Sequence, residues 1–351
     1  MKSINIRRYQ AQFSCIGSDC EDPCCSGWSI PISKNDRHRL QEVMKPADIQ
    51  KFIQEQPIPQ VQKVNNSCIQ LCDNGLCSLQ KSHGHSYLPD VCASYPRFLG
   101  RNKSGTEVGG FLSCPEVVRL SMKFSGTLEE CSVHERVIED IDIQNADTVY
   151  VANFLQVRQW FEKRKQESTT CKEYFLSIAR VVGLSPAFFH RRGGDFESLL
   201  HKANNVTFVE HMEDSDSRLA LDSFMSCLTT FASREWPYPK PMQRLQEALG
   251  KKYERLEPLQ AEWELRYVQH DWNVRWYPHS PNLLFHWQAM LFKIMLVRLL
   301  CQCQSKRNIE ERFVEAVYST ERLVEHTSLK RDLYSMFTHP WSFNRWIHAI
   351  L

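Results

Sequence analysis

No block of one charge runs through this chain, and no long uncharged apolar stretch does either. Its 43 basic and 41 acidic residues are interspersed and leave a formal net charge of +2. That balance excludes a protein held to nucleic acid or a membrane surface by bulk electrostatics. The first residues, Met-Lys-Ser-Ile-Asn-Ile-Arg-Arg-Tyr-Gln, have no apolar core and no small-residue cleavage site. The expectation is a chain without a secretory leader, in the reducing cytoplasm. The most apolar stretch, Leu283 to Cys303, is interrupted by His286, Lys293 and Arg298. A membrane span tolerates such charges poorly, so the stretch is expected to be a buried helix rather than a span. Also missing are the glycine-rich strand-to-helix turn that cradles dinucleotides or adenosyl cofactors, a phosphate-binding loop and a serine-nucleophile elbow. Gly-Thr-Glu-Val-Gly-Gly at 105–110 opens no helix, and the radical-type spacing of three cysteines is not found.

What the chain does have is cysteine, unevenly placed. Of fourteen, nine lie between Cys15 and Cys114, where an even spread would put roughly four or five. In a reducing compartment structural disulfides are disfavoured, and clustered thiols point to metal or redox chemistry. Three clusters stand out: Cys15, Cys20 and the adjacent pair Cys24-Cys25; Cys68, Cys72 and Cys77; and Cys92 with Cys114. Thiolate is a soft ligand suited to zinc and to iron–sulfur clusters. The short spacings Cys20-x-x-x-Cys24 and Cys68-x-x-x-Cys72 let one loop bend two thiolates toward one centre. Adjacent side chains diverge in most backbone conformations, so Cys24 and Cys25 are expected to serve two centres, or one of them to be no ligand. Nine thiols exceed the four of a tetrahedral site, which leaves one or two centres open. His83 and His85 in Ser-His-Gly-His-Ser are candidate additional ligands.

The fold expected is mainly α, with two parts. Residues 1–125 form a loop-rich cysteine metal-binding module with turn signals at Asn65-Asn66-Ser67, Asp73-Asn74-Gly75 and Gly109-Gly110. Only two helices are expected there, one from Ser33 through Met44 and one opening at Pro115. Metal ligation would supply the constraint that regular structure does not. Residues 126–351 form an all-α helical domain, joined through Gly126 to Asp147. Helical stripes run through Tyr150, Phe154, Val157 and Phe161; Leu221, Phe224, Met225, Leu228 and Ala232; Leu284, Trp287, Leu291, Ile294 and Met295; and Ile309, Phe313, Ala316, Val317 and Val324. Stops fall at Gly193-Gly194, Pro237 to Pro241, Pro278 to Pro281 and Pro340.

The ordered elements Phe13-Ser-Cys15, Cys20, Cys24-Cys25-x-Gly27-Trp28, Cys68, Cys77-Ser-Leu-Gln80, Cys92-x-x-Tyr95-Pro96-Arg97 and Ser113-Cys114-Pro115-Glu116 resemble the flagellin lysine N-methylase family. That family lies within a wider group of cysteine-cluster zinc- or iron-chelating proteins. A looser likeness continues at Arg322-x-x-Glu325-His326. The shared pattern holds eight cysteines, Cys15, Cys20, Cys24, Cys25, Cys68, Cys77, Cys92 and Cys114, and leaves Cys72 outside. The resemblance implies a lysine N-methyltransferase acting on flagellin, with S-adenosylmethionine as methyl donor and a cysteine-ligated iron–sulfur cluster of the four-iron type. Zinc is the alternative metal. A zinc-stapled interaction protein without catalysis and an iron–sulfur redox protein are the alternative functions. A lysine amine, with a free pKa of ~10.4, must lose its proton before it can accept a methyl group. Tyr87, Asp90, Tyr95 and Glu116 lie near the thiols in sequence, each with a local hydrogen-bonding role as the simpler account, and none is assigned as base. Arg97 is a candidate neutraliser of thiolate charge, and Trp28 a packing cover for the site.

Overall fold

The computed structural model describes residues 4–102, 105–124, 128–131, 140–141, 148–189, 195–205, 214–275, 283–303, 308–329 and 347. The stops at Gly193-Gly194, Pro278 to Pro281 and Pro340 lie outside the described residues, as do the side chains of Tyr150 and Phe154 and most of the Gly126 to Asp147 connection. The fold is mainly α, with small sheets in the cysteine-rich part. The chain divides into two compact units. The first is Met1–Gly100, Gly105–Asp140 and Trp236–Lys240; the second is Arg101–Ser104, Ile141–Glu235 and Pro241–Leu351.

The first unit runs β1 (Ile4–Arg7), α1 (Arg8–Ala11), α2 (Lys34–Val43), α3 (Pro46–Phe52), β2 (Ile53–Gln54), β3 (Gln60–Val61), β4 (Lys63–Val64), β5 (Ser67–Cys68), α4 (Ser78–His83), α5 (Asp90–Ser94), β6 (Arg97–Asn102), β7 (Gly105–Gly110), α6 (Pro115–Lys123), β8 (Leu128–Cys131) and β9 (Asp140–Ile141). Both expected helices form. Ser33 caps α2: its Oγ accepts from the Asp36 N–H at 3.0 Å while the Asp36 carboxylate accepts from the Ser33 N–H at 2.8 Å. Pro115 opens α6 at its first turn.

The five-stranded sheet, ordered β8-β1-β7-β6-β9, was not expected from the sequence. Its central strands hide their pattern. β1 runs parallel to β7 with Asn5 opposite Glu107 and Ile6 opposite Val108, and antiparallel to β8. Ile6, Arg7, Glu107 and Val108 are all buried, and Arg7 donates to Glu107 at 2.8 Å. β1 alternates as Ile-Asn-Ile-Arg but over four residues only, and β7, Gly-Thr-Glu-Val-Gly-Gly, has a single large apolar residue, so neither carries a readable strand signal. Gly110 packs closely against α1: a Cβ there would crowd the Gln10 side chain, and its N–H donates to the Tyr9 hydroxyl at 3.1 Å. The unit also has an apolar core of its own, built on Ile30, Leu40, Phe52, Val61, Leu79 and Leu88. This core holds that part of the chain together independently of any metal ligation.

The second unit is helical: α7 (Thr148–Glu167), α8 (Cys171–Phe189), α9 (Phe196–Asn204), α10 (Asp214–Ala232), α11 (Pro239–Leu249), α12 (Ala261–Arg275), α13 (Leu283–Cys303) and α14 (Ile309–Glu325). Among the described side chains of the predicted stripes most are buried in its core, Met225 and Ala232 are half-buried, and Ile309, the first residue of α14, is exposed. α13 is long and apolar enough to cross a membrane, yet 94% of its most apolar window is buried within the protein. Trp287 stacks against Phe161 and Trp272, with ring centroids 4.9 and 5.0 Å away. The charges that interrupt α13 are paired inside the unit. Lys293 Nζ lies 2.6 Å from Asp271, 3.1 Å from Glu321 and 2.7 Å from Glu325, and Arg298 grips Glu264 at 2.6 and 2.8 Å.

Candidate metal centre

Two stretches of the first unit that are distant in sequence are zipped together by backbone bonds, and a third lines the same cavity. The turn at Pro23 to Ser26, closed by Ser26 N–H to the Pro23 carbonyl, curls the chain around Cys24 and Cys25. Gly27 then donates to the Asn66 carbonyl at 2.9 Å, and Cys68 N–H donates to the Cys25 carbonyl at 2.8 Å. Gly27 has φ of +99°, and a Cβ there would fall 2.4 Å from the Tyr238 ring, so this glycine is dictated by conformation and by packing. A tight loop follows Cys68. Cys72 N–H reaches the Leu76 carbonyl, and Ser78 N–H reaches the Gln70 carbonyl at 2.7 Å. Cys77 ends up as the cap of α4, and α5 delivers Cys92.

The result is a cavity of about 590 Å³, mouth included, lined by Cys24, Cys25, Cys68, Cys77 and Cys92. Apolar side chains, among them Ile30, Phe52, Val61 and Leu79, form most of the remaining wall. Each of the three sequence clusters contributes at least one thiol. The expected divergence of Cys24 and Cys25 is not seen. Both line the same cavity, and their thiols are hydrogen-bonded to each other, because the turn replaces the extended backbone in which neighbours alternate. Cys114 is buried and Cys20 half-buried; Cys114 lies within electrostatic reach of both Cys20 and Cys24. Cys15 is exposed and lines no part of the cavity.

The thiols are held strongly in their neutral form. The hydrogen bond with Cys24, followed by burial, pushes Cys25 far up. Burial raises Cys68 to about 11 and Cys114 to about 12, and it drives Cys77 and Cys92 upward as well. Neighbouring thiols add to each of these shifts, since several thiolates side by side in an apolar wall repel one another. A cation between them would reverse that balance, so the donor set fits a thiophilic metal.

Other sequence candidates fall in place around this cavity or away from it. Trp28 covers it as expected: its indole N–H donates to the Cys24 carbonyl at 2.6 Å and its ring meets Tyr95 edge-on at 4.5 Å. The Tyr95 hydroxyl is 3.1 Å from Ser113 Oγ. Glu116 pairs with Arg119, and Asp90 with Arg39, the local roles that need no catalysis. His83 and His85 are exposed and line no part of the cavity. Cys72 is outside the lining too, although it is near enough to Cys77 to influence it. Arg97 places its guanidinium over the Phe13 ring at 5.7 Å and is not among the lining residues. Lys63 was missed by the sequence reading: it donates to the Gly27 and Trp28 carbonyls at 3.0 and 3.1 Å and so clamps the first thiol loop. A lone lysine in a two-residue strand carries no sequence signal for that task.

The chain is 33% identical to the flagellar biosynthetic protein FliU of Salmonella muenchen over 132 residues, which are 33% of this chain and 76% of that protein. It is 32% identical to the lysine-N-methylases of Salmonella typhimurium and Salmonella choleraesuis, again over 132 residues. The match spans about a third of the length of those two proteins, 32% of each. No protein-family model matches the chain, and no solved structure does. With three quarters of FliU covered at this identity, the chain belongs to the flagellin lysine N-methylase family that includes FliU.

Proposed function

We propose that the chain is a cytoplasmic protein-lysine N-methyltransferase acting on flagellin, with its thiol cavity holding an iron–sulfur cluster of the four-iron type. The observation that carries the metal assignment is the convergence of five thiols from three separate stretches on one cavity. Cys24, Cys25, Cys68, Cys77 and Cys92 form the inner part of the proposed ligand set, and Cys15, Cys20 and Cys114 complete its eight members. A four-iron cluster takes four thiolates. When bound, such a cluster would supply electron-transfer capacity and a rigid link between the three thiol stretches. The names of the two lysine-N-methylases support the reaction.

The proposed chemistry is methyl transfer from the sulfonium of S-adenosylmethionine. The lysine ammonium first gives up a proton to water, which desolvation favours by disfavouring the charged form. Its lone pair then forms the N–C bond as the C–S bond breaks, and the electron pair of that bond stays on sulfur. Anaerobic purification with optical spectroscopy and metal analysis tests the first half. A coloured protein with several irons and acid-labile sulfide per chain is expected, and a colourless one with a single zinc overturns the cluster. Mass spectrometry of flagellin from cells with and without the gene tests the second half. Lysines heavier by one or more methyl groups are expected only when the gene is present, and identical lysine masses remove flagellin as substrate.

A further inference from the structure

One thiol stretch is held from behind by charged residues outside the cysteine elements. Asp36 is 2% exposed. As the third residue of α2 it needs only to reach the Ser33 N–H, a capping task that exposed side chains perform equally well. Burying a carboxylate costs several kcal/mol unless it is paired and hydrogen-bonded, so the burial calls for a second role. The contacts supply one. Asp36 Oδ1 accepts from the backbone N–H of Asp90 at 2.8 Å, a residue 54 positions away. Arg39, one turn along α2, donates from Nη2 to Asp36 Oδ1, to Asp90 Oδ1 and, at 3.5 Å, to the Leu88 carbonyl. Three groups at the entry to α5 are therefore tied to α2: the Leu88 carbonyl, the Asp90 N–H and the Asp90 carboxylate. Leu88 and Val91 line the thiol cavity, and Cys92 is the third residue of α5.

We propose that Asp36 and Arg39 are positioning residues of the cavity: one guanidinium bridging two carboxylates fixes residues 88–92 and, through them, the Cys92 thiol. The inference deepens the reading of the cavity as a metal centre and rests on it. α2 carries no cysteine; it serves the site through this fastening and through Leu40 in the apolar core against which Cys92 packs. A guanidinium suits the task because it keeps its charge and its planar head is held rigidly, so that one nitrogen, Nη2, reaches all three oxygens. With Arg39 gone, Asp36 and Asp90 would lose the positive charge that bridges them, and the entry to α5 would lose that tie to α2.

The test reads each thiol separately in the full-length, metal-free chain, by iodoacetamide alkylation followed by mass spectrometry. In Arg39→Gln, Cys92 is expected to react about tenfold faster, as local opening of its segment becomes easier, while Cys114, on another stretch of the same unit, keeps its rate. Arg39→Lys should recover part of the protection. In the protein as purified, the same Arg39→Gln change should lower metal per chain and alter the optical spectrum. An unchanged Cys92 rate in Arg39→Gln overturns the proposal. Equal acceleration of Cys92 and Cys114 also overturns it, because that pattern is general loosening. Selective exposure of Cys92 in a chain that never takes up metal would sink the metal reading while leaving the fastening in place.

Discussion

At the scale of single residues, the cavity separates thiols that share a motif from thiols that share a place. Cys68, Cys72 and Cys77 sit in one short loop, yet only the first and last line the cavity. Replacing Cys92 by Ser is expected to cut metal per chain strongly, and replacing Cys72 by Ser to leave it unchanged; metal analysis of the purified variants checks both. Gly27 shows a different kind of necessity. An alanine there must adopt φ of +99° and meet the Tyr238 ring at 2.4 Å. Gly27→Ala is expected to destabilise the protein by about 1–3 kcal/mol, read by urea denaturation. Trimming Tyr238 to Ala in the same chain should relieve the steric part and leave the backbone part, so the two changes will not add. The sequence marks Gly27 as part of a cysteine element but gives no hint of Tyr238, which is more than two hundred residues distant.

At the scale of elements, the helical unit is organised around α13. Its lysine and arginine read in sequence as obstacles to a membrane span; in the fold they are the partners of α12 and α14. Asp271, Glu321 and Glu325 bring oxygens within 4.8 Å of one another, a grouping that resembles a cation site. Lys293 Nζ, 1% exposed, takes the place of that cation. Tyr267 adds a hydroxyl donor to Glu321 at 2.7 Å. Lys293→Met leaves three buried carboxylates with their ammonium gone, and is expected to cost about 3–5 kcal/mol, measured by chemical denaturation. Cys301 gives the same unit an alkaline limit. Burial raises its thiol from an ordinary 9.0 to about 12. Below pH 9 the thiol is protonated in both states and pH has no effect. Between 9 and about 12 the unfolded chain gives up this proton and the folded chain keeps it, so stability falls as pH rises. Urea midpoints at pH 8 and 10.5 should show the fall, and Cys301→Ala should make it shallower.

At the scale of the whole molecule, each unit carries an apolar core of its own, and metal matters to only one of them in this reading. Removing metal from the purified protein is expected to speed amide exchange in residues 24–28, 68–77 and 90–94. α13 should keep its protection because its core lies within its own unit. Hydrogen exchange with mass spectrometry measures both. The sequence by itself determined the chemistry available: a surplus of thiols in the first third, a mainly helical remainder, two helix starts written by Ser33 and Pro115, and the family. These are legible because composition, helical period and capping are local properties. The tertiary structure alone decided which thiols meet, that Cys24 and Cys25 share a cavity, that β1 pairs with β7 a hundred residues on, and that Asp36 and Arg39 reach Asp90. Such contacts join residues that are close only after folding. They depend on turns, strands of a few residues and single buried charges, none of which leaves a periodic trace long enough to read in the sequence.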